Sequence, residues 1–107
     1  MAEDWVEVAT TEELPPGDYV SVDVDDVQIA VFNCDGELYA IEDVCTHDYN
    51  QLTGGEMEGC QIACPRHGAK FDLRSGEAMT PPAYEAVDTF PVKVENGRIY
   101  VRDDRWD

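Results

Sequence analysis

The sequence predicts an all-β domain in which antiparallel sheets support a loop-rich insert. Apolar and polar residues alternate through "VSVDVDDVQIAV", two tight-turn dipeptides separate further alternating runs, and glycine and proline interrupt the middle of the chain every few residues. Alternation with a period of two places one face of a strand against a core. We therefore expect residues 1 to 42 and 85 to 107, approximately, to form the sheets.

The first element before these strands is a short connector. In "TTEELPPG", Thr10 or Thr11 can cap a helical turn, and Glu12 and Glu13 are favoured in its first turn. Pro15 then ends it, because proline cannot donate a backbone hydrogen bond. The pattern predicts a single helical turn.

Three hairpins follow from the alternation and from the turns. The runs Val20 to Val24 and Val27 to Val31 predict two strands of a half-buried hairpin. Asp35-Gly36 and Asn96-Gly97 each separate two further runs, and both dipeptides readily supply the positive φ angles of tight turns. These turns predict one strand after Asp35-Gly36 and a closing hairpin around Asn96-Gly97.

Between Glu42 and Tyr84 the alternation weakens and turn residues dominate. A loop-rich insert of this size in a small domain usually has a function or a bound group that holds it together. The insert contains both histidines of the chain, and each histidine stands close to a cysteine. A metal centre would explain both the insert and the pairing.

Length and charge restrict the classes of function. A chain of 107 residues suits one domain, and its 24 acidic against 7 basic residues give a net charge of −17. This charge argues against binding nucleic acid or anionic lipid. It favours either docking to a basic partner surface or simple solubility. No apolar run could span a membrane and the N-terminus lacks signal-peptide features, so we expect a cytoplasmic protein.

The two Cys/His pairs are Cys45-Thr46-His47 and, after sixteen further residues, Cys64-Pro65-Arg66-His67. Thiolate and imidazole both bind metals, and such close spacing lets two side chains of one loop reach a single site. A structural zinc site remains an alternative, although zinc modules usually pair cysteines in a knuckle and histidines on a helix. A cluster held by four cysteines and a catalytic Cys-His pair are weaker alternatives.

The remaining cysteines, Cys34 and Cys60, carry no matching histidine. In a reducing cytoplasm, cysteines suggest metal ligation or catalysis before disulfides. We expect these two to be small buried residues within strands.

The pattern C-x-H followed by C-x-x-H resembles the cluster-binding motif of Rieske proteins. The resemblance includes "CTHD", "CPRHGAKFD", "SGEA", a late "PP" loop and the "FPVKVENGRIYV" hairpin, and extends from about Glu37 onwards. It implies a Rieske (iron-sulfur-protein-like) fold over residues 1–107, an antiparallel β-sandwich with a small cluster-binding subdomain at about 43–84. It also implies one 2Fe-2S cluster, with both cysteines on one iron and both histidines on the other.

The ligand set bears on the reduction potential. With two thiolates and two neutral imidazoles the oxidised cluster has no net charge, so it accepts an electron more easily than a cluster with four thiolates; Rieske centres span roughly −150 to +300 mV. Respiratory Rieske proteins, by resemblance, add a disulfide and hydroxyl donors to the cluster. Here those positions hold Asn50, Arg66, Ala69 and Phe71. We expect a potential at the low end of the range.

The resemblance implies an electron carrier without catalytic residues. Its partners would be a flavin-dependent NAD(P)H ferredoxin reductase and a terminal oxygenase, such as an aromatic-ring-hydroxylating dioxygenase. Both histidines are already assigned to the cluster, so none is left for an oxygen-activating iron. A subunit of an assimilatory nitrite reductase or of an iron-sulfur assembly system, and a zinc-stabilised binding module, are the alternatives. Around the cluster, four residues could form an apolar docking patch or pack the loops together: Tyr49, Leu52, Pro65 and Pro81.

Overall fold

The computed structural model describes residues 5–24, 27–44, 52–65, 68–80 and 85–103. Ten β-strands lie in these ranges: β1 Val6–Thr10, β2 Tyr19–Val24, β3 Val27–Cys34, β4 Glu37–Glu42, β5 Met57–Glu58, β6 Gln61–Ala63, β7 Lys70–Asp72, β8 Thr89–Phe90, β9 Val92–Glu95 and β10 Arg98–Val101. The predicted all-β class is confirmed. No helix in these ranges has the length and apolar character needed to cross a membrane.

The strands form three antiparallel sheets. The first has the order β1-β10-β9, the second β2-β3-β4-β8 and the third β5-β6-β7. Strands that follow each other in the chain are mostly hairpin neighbours, while β8 returns to pair with β4 and β1 pairs with β10. The third sheet lies inside the predicted loop-rich insert.

The predicted hairpins are confirmed. β2 pairs with β3 from Tyr19 opposite Phe32 to Val24 opposite Val27. The turn between β3 and β4 has φ of 53° at Asp35 and 95° at Gly36, as a hairpin turn with two left-handed residues requires. Asn96 and Gly97 make the same kind of turn between β9 and β10.

The connector after β1 differs slightly from the prediction. The Glu13 N–H donates to the Thr10 hydroxyl at 3.3 Å, and the Glu13 carboxylate accepts from the Thr10 N–H at 2.9 Å. This reciprocal pair is a capping box, so Thr10 is the cap. Residues 11–14 form turns instead of a helix, because Pro15 has no N–H to continue the hydrogen bonding.

Strand β3 divides the core in two. Ile29 and Val31 belong to a cluster shared by the first and second sheets, which therefore pack face to face as a sandwich. Ala30 and Phe32, which point to the opposite face, belong to a cluster shared with the third sheet. β3 is buried on both faces from Ile29 onwards, so it is more buried than the half-buried strand that its alternation predicted.

The expectation for Cys34 and Cys60 was wrong in two respects. Cys34 is buried at the end of β3, as expected, but Cys60 is half-buried in the turn between β5 and β6. The two form a disulfide with a Cα–Cα distance of 5.7 Å. This bond joins the second sheet to the third. The prediction failed because the chain alone did not show that the two cysteines come within bonding distance.

Candidate metal centre

Cys64 is the one predicted ligand that the structure describes. It lies directly after β6, is 2% exposed, and is the free cysteine among the described residues. Cys45, His47 and His67 lie outside the described residues. Within the described ranges no three potential metal ligands come together, and these ranges leave out three of the four predicted ones.

The backbone around Cys64 forms a closed turn. The Cys64 N–H donates to the Ala69 carbonyl at 2.7 Å, and the Gly68 N–H donates to the Cys64 carbonyl at 2.9 Å. Gly68 has φ of 75°. These bonds bring the start of β7 back against the end of β6, so the position of Cys64 is fixed by the same turn that precedes the pairing of Ala63 with Lys70.

A cavity of about 300 Å³ adjoins Cys64 and is lined also by Gly55, Ala63, Pro65 and Gly68. Gly55 approaches β6 so closely that a Cβ atom built there would lie 1.8 Å from the Ala63 carbonyl oxygen. Any larger residue at 55 would have to displace this backbone. The chemistry of the site fits an iron-sulfur cluster at this point, since a buried free thiol next to a cavity can act as a thiolate ligand.

The disulfide bears on one alternative ligand set. With Cys34 and Cys60 bonded to each other, neither sulfur is a free thiolate. A cluster held by all four cysteines is therefore inconsistent with this structure, whereas Cys64 keeps its thiol.

Two residues occupy the positions at which, by resemblance, respiratory Rieske proteins carry hydroxyl donors, and both lie in the core. Ala69 and Phe71 are fully buried and carry no polar side-chain atom. Asn50 and Arg66, the other two positions of this comparison, lie outside the described residues. Neither Ala69 nor Phe71 can therefore donate a side-chain hydrogen bond to a cluster.

Of the two roles left open for the four residues near the cluster, docking or packing of the loops, Leu52 has the second. Leu52 is fully buried and belongs to the core cluster beneath the third sheet, so it packs the loops together. Pro65 is exposed, as a docking residue would be. Tyr49 and Pro81 lie outside the described residues.

The basic residues Lys70, on β7, and Arg74, just after it, have local acidic or polar partners. The Lys70 ammonium lies 2.7 Å from the Glu58 carboxylate. Its hydrogen bond and positive charge lower the pKa of Glu58 below the ordinary value of 4.5. Arg74 donates to the Tyr39 hydroxyl at 3.4 Å, and this bond raises the pKa of its guanidinium. These contacts are exposed, so they add little to the stability of the sheet.

Sequence reasoning missed three features in and around the predicted insert. The disulfide, the close approach of Gly55 to Ala63, and the buried carboxylate of Asp43 all depend on contacts between different strands and loops. Asp43 stands two residues before Cys45 but directly after Glu42 in an acidic chain, so no local signal distinguished it from the other carboxylates.

Comparison with known proteins connects this geometry to a family. Residues 4–91 match the family model described as the Rieske [2Fe-2S] domain. The ferredoxin component of the naphthalene 1,2-dioxygenase/salicylate 5-hydroxylase systems of a Ralstonia species is 36% identical over 102 residues, covering 95% of this chain and 98% of that protein.

Two solved structures have a similar fold. The ferredoxin of carbazole 1,9a-dioxygenase from Nocardioides aromaticivorans IC177 has a TM-score of 0.89 and 31% identity, covering 94% of this chain and 98% of that chain. A chain in the complex of reduced oxygenase and oxidized ferredoxin in carbazole 1,9a-dioxygenase gives the same TM-score and identity, covering 94% of each chain. These matches confirm the Rieske fold and the 2Fe-2S cofactor that the two Cys/His pairs predicted. The chain therefore belongs to the Rieske [2Fe-2S] family, as a ferredoxin that carries electrons in dioxygenase systems acting on aromatic compounds.

Proposed function

We propose that this ferredoxin takes single electrons from a flavin-dependent NAD(P)H reductase and delivers them to an aromatic-ring-hydroxylating terminal oxygenase. The observation that carries the proposal is the similarity, with a TM-score of 0.89 over 94% of both chains, to a chain in a complex of an oxygenase with its ferredoxin. A flavin separates the electron pair of a hydride into single electrons, which is why a one-electron carrier suits a position between the two partners.

The proposed ligands are Cys45 and Cys64 on one iron and His47 and His67 on the other. Support comes from the spacing of the two pairs and from Cys64, whose buried free thiol adjoins a cavity. When bound, the cluster supplies one-electron redox chemistry. Ala69 and Phe71 offer no side-chain hydrogen bond that would stabilise added negative charge on the cluster, which supports a potential at the low end of the Rieske range.

We further propose that residues 1–107 form a single domain with a cluster-binding subdomain at about 43–84. The third sheet, from Met57 to Asp72, lies inside that segment and has its own core against the second sheet.

A cytoplasmic location is part of the same proposal, because NAD(P)H is supplied there. The disulfide is unusual for that compartment, and counting free thiols in protein quenched with acid inside the cell would test this point.

The net charge of −17 supports docking to partners with basic surfaces. If the charge steers the encounter, the rate constant for reduction by the reductase falls steeply as salt is added, since screening weakens attraction between exposed charges. A rate constant that is independent of salt would assign the charge to solubility instead.

The ligand set is tested by paramagnetic resonance of the dithionite-reduced protein, purified anaerobically with iron and sulfide and labelled with nitrogen-15 histidine. We expect coupling to two histidine nitrogens. His47→Ala and Cys64→Ala should each abolish this signal, and Cys34→Ala with Cys60→Ala should keep it. A wild-type protein without a reducible cluster, or an unchanged spectrum in His47→Ala, would refute the proposed function.

A further inference from the structure

A buried carboxylate stands two residues before the proposed ligand Cys45 and takes no part in the electron-transfer role described above. Asp43 follows β4 directly and is 2% exposed. Its backbone N–H donates to the Gln28 carbonyl at 2.8 Å, so the main chain at this point is fixed to β3. Burying a carboxylate is unfavourable unless its oxygens are hydrogen-bonded.

The side chain of Asp43 accepts four hydrogen bonds from the described residues. Oδ1 accepts from the backbone N–H groups of Leu52 at 2.8 Å and Thr53 at 2.9 Å. Oδ2 accepts from the Thr53 hydroxyl at 2.9 Å and from the Ser21 hydroxyl at 3.1 Å. Both oxygens therefore contact Thr53, and one of them also contacts β2.

These bonds connect the two sides of residues 45–51. Asp43 and Val44 precede that segment, and Leu52 and Thr53 follow it. Leu52 is also fully buried in the core beneath the third sheet, so the far side of the segment is fixed to the core as well. One carboxylate thus sets the distance between the two ends of the segment that carries Cys45 and His47.

We propose that Asp43 is a positioning residue for the cluster, which holds the ends of the Cys45–His47 segment at the separation that ligation requires. The inference rests on the proposed ligand set. Residues behind the ligands of a metal site orient those ligands, and their replacement typically weakens metal binding about tenfold to a hundredfold. Fixing both ends before the metal binds also reduces the loss of conformational freedom on binding.

The chain provides a control, which is a second buried side chain that hydrogen-bonds to the backbone but lies away from residues 45–51. Asn33 is also buried, donates to the Leu14 carbonyl at 2.8 Å and accepts from the Gly36 N–H at 2.8 Å. It lies at the Asp35-Gly36 end of the β3–β4 hairpin, whereas Asp43 follows the other end. Asn33→Ala therefore removes a buried polar brace without touching the segment that carries the ligands.

The experiment compares Asp43→Ala, Thr53→Val and Asn33→Ala with the wild type, each loaded with iron and sulfide. Iron release to a chelator is timed at a denaturant concentration chosen so that all four proteins have the same free energy of unfolding. We expect release about tenfold to a hundredfold faster in Asp43→Ala. Thr53→Val, which removes a single donor, should show a smaller increase, and Asn33→Ala should match the wild type.

Two further measurements distinguish positioning of the cluster ligands from general stabilisation of the fold. The paramagnetic resonance g values of the reduced cluster should shift in Asp43→Ala and stay unchanged in Asn33→Ala. Asp43→Asn should restore slow release, because an amide oxygen can accept both backbone bonds while its NH₂ donates to the two hydroxyls. If Asp43→Ala does not fold, Thr53→Val carries the test.

Equal release rates in Thr53→Val, Asp43→Ala and Asn33→Ala, with unchanged g values, would overturn this inference and leave the proposed function intact. The proposed function fails on a different result, which is a wild type without a reducible cluster or a His47→Ala variant with an unchanged spectrum.

Discussion

The hairpins of the second sheet and the third sheet beside Cys64 are stabilised in different ways. β2 pairs with β3, and β3 with β4, through six residue pairs each. In the third sheet, β5 and β6 share two pairs and β6 and β7 share three. Long pairing with buried side chains specifies its own register, whereas two or three pairs do so only weakly. The third sheet must take its register from other contacts.

Those other contacts are one link to a distant strand and two links to the residues just before β5. The disulfide joins its β5–β6 turn to β3, and Gly55 contacts the backbone of β6. The Ala63 N–H also donates to the Glu56 carbonyl at 2.9 Å. The hairpins of the second sheet therefore depend on repeated local pairing, whereas the third sheet depends on a few specific links. Removing one link should therefore affect the third sheet far more than the hairpins.

Reduction of the Cys34–Cys60 disulfide should have the largest effect. The bond closes a loop with a sequence separation of 26 residues, for which loop entropy gives about 3.5 kcal/mol of stabilisation. Guanidinium unfolding of the loaded protein, followed by circular dichroism with and without dithiothreitol, measures the difference. The double variant Cys34→Ser with Cys60→Ser should resemble the reduced wild type and not respond to dithiothreitol. Identical midpoints for oxidised and reduced wild type would contradict the claim that this bond stabilises the third sheet.

Gly55→Ala should have the next largest effect on stability. The new methyl group would lie 1.8 Å from the backbone oxygen of Ala63, so the chain must move, and we expect a loss of about 3 kcal/mol. Gly54→Ala and Gly36→Ala are the controls: both glycines have positive φ, at 99° and 95°, and open space around the Cβ position. Each should lose roughly 1 to 2 kcal/mol through backbone strain alone.

Denaturant unfolding of these three variants measures the comparison directly. Equal losses in Gly54→Ala and Gly36→Ala would show that turns in the two regions respond alike to backbone strain. A loss in Gly55→Ala no greater than in the controls would show that the third sheet tolerates displacement from Gly55, against the view that it depends on specific links.

The same difference explains what the sequence could predict. The hairpins from β2 to β4 and from β9 to β10 were predicted because alternation and the dipeptides Asp35-Gly36 and Asn96-Gly97 are local signals. Strands β5 to β7 have two or three residues each, too few to show a period. The proposed ligand pairs were equally visible, because each Cys and His lies within a few residues of its neighbour.

The links that hold the site were not predictable in this way. Asp43 contacts Ser21, 22 residues earlier, and Cys34 bonds to Cys60, 26 residues later. Such contacts exist only once the sheets have assembled, and no local pattern marks them. The expectation about the cytoplasm also argued against a disulfide, so general chemistry pointed away from the observed pairing.

A hydroxyl placed next to the cluster should change the reduction potential without disturbing the hairpins. Ala69 is fully buried at the position where, by resemblance, respiratory Rieske proteins carry a serine donor. Ala69→Ser should raise the potential by about 100 mV, because a hydrogen bond to a charged group contributes roughly 1.5 to 3 kcal/mol. Ala40→Ser, at a 2% exposed site in β4, is the matched control and should leave the potential unchanged in a redox titration. Equal shifts in both variants, or none in Ala69→Ser, would contradict the proposal that missing hydrogen-bond donors lower the reduction potential.

The ion pair between Glu58 and Lys70 should contribute least, although it lies on the third sheet. The side chain of Glu58 is 77% exposed, so solvent screens the pair, and Glu58→Gln should leave the melting temperature at neutral pH nearly unchanged. The pKa of Glu58 is lowered in the folded protein by Lys70. Any stabilisation is therefore present above the unfolded pKa and is lost as pH falls through the folded pKa. Melting curves of wild type and Glu58→Gln should differ slightly at neutral pH and coincide in acid. If Glu58→Gln lowered the stability as much as reduction of the disulfide does, surface charge rather than buried contacts would hold the third sheet in register.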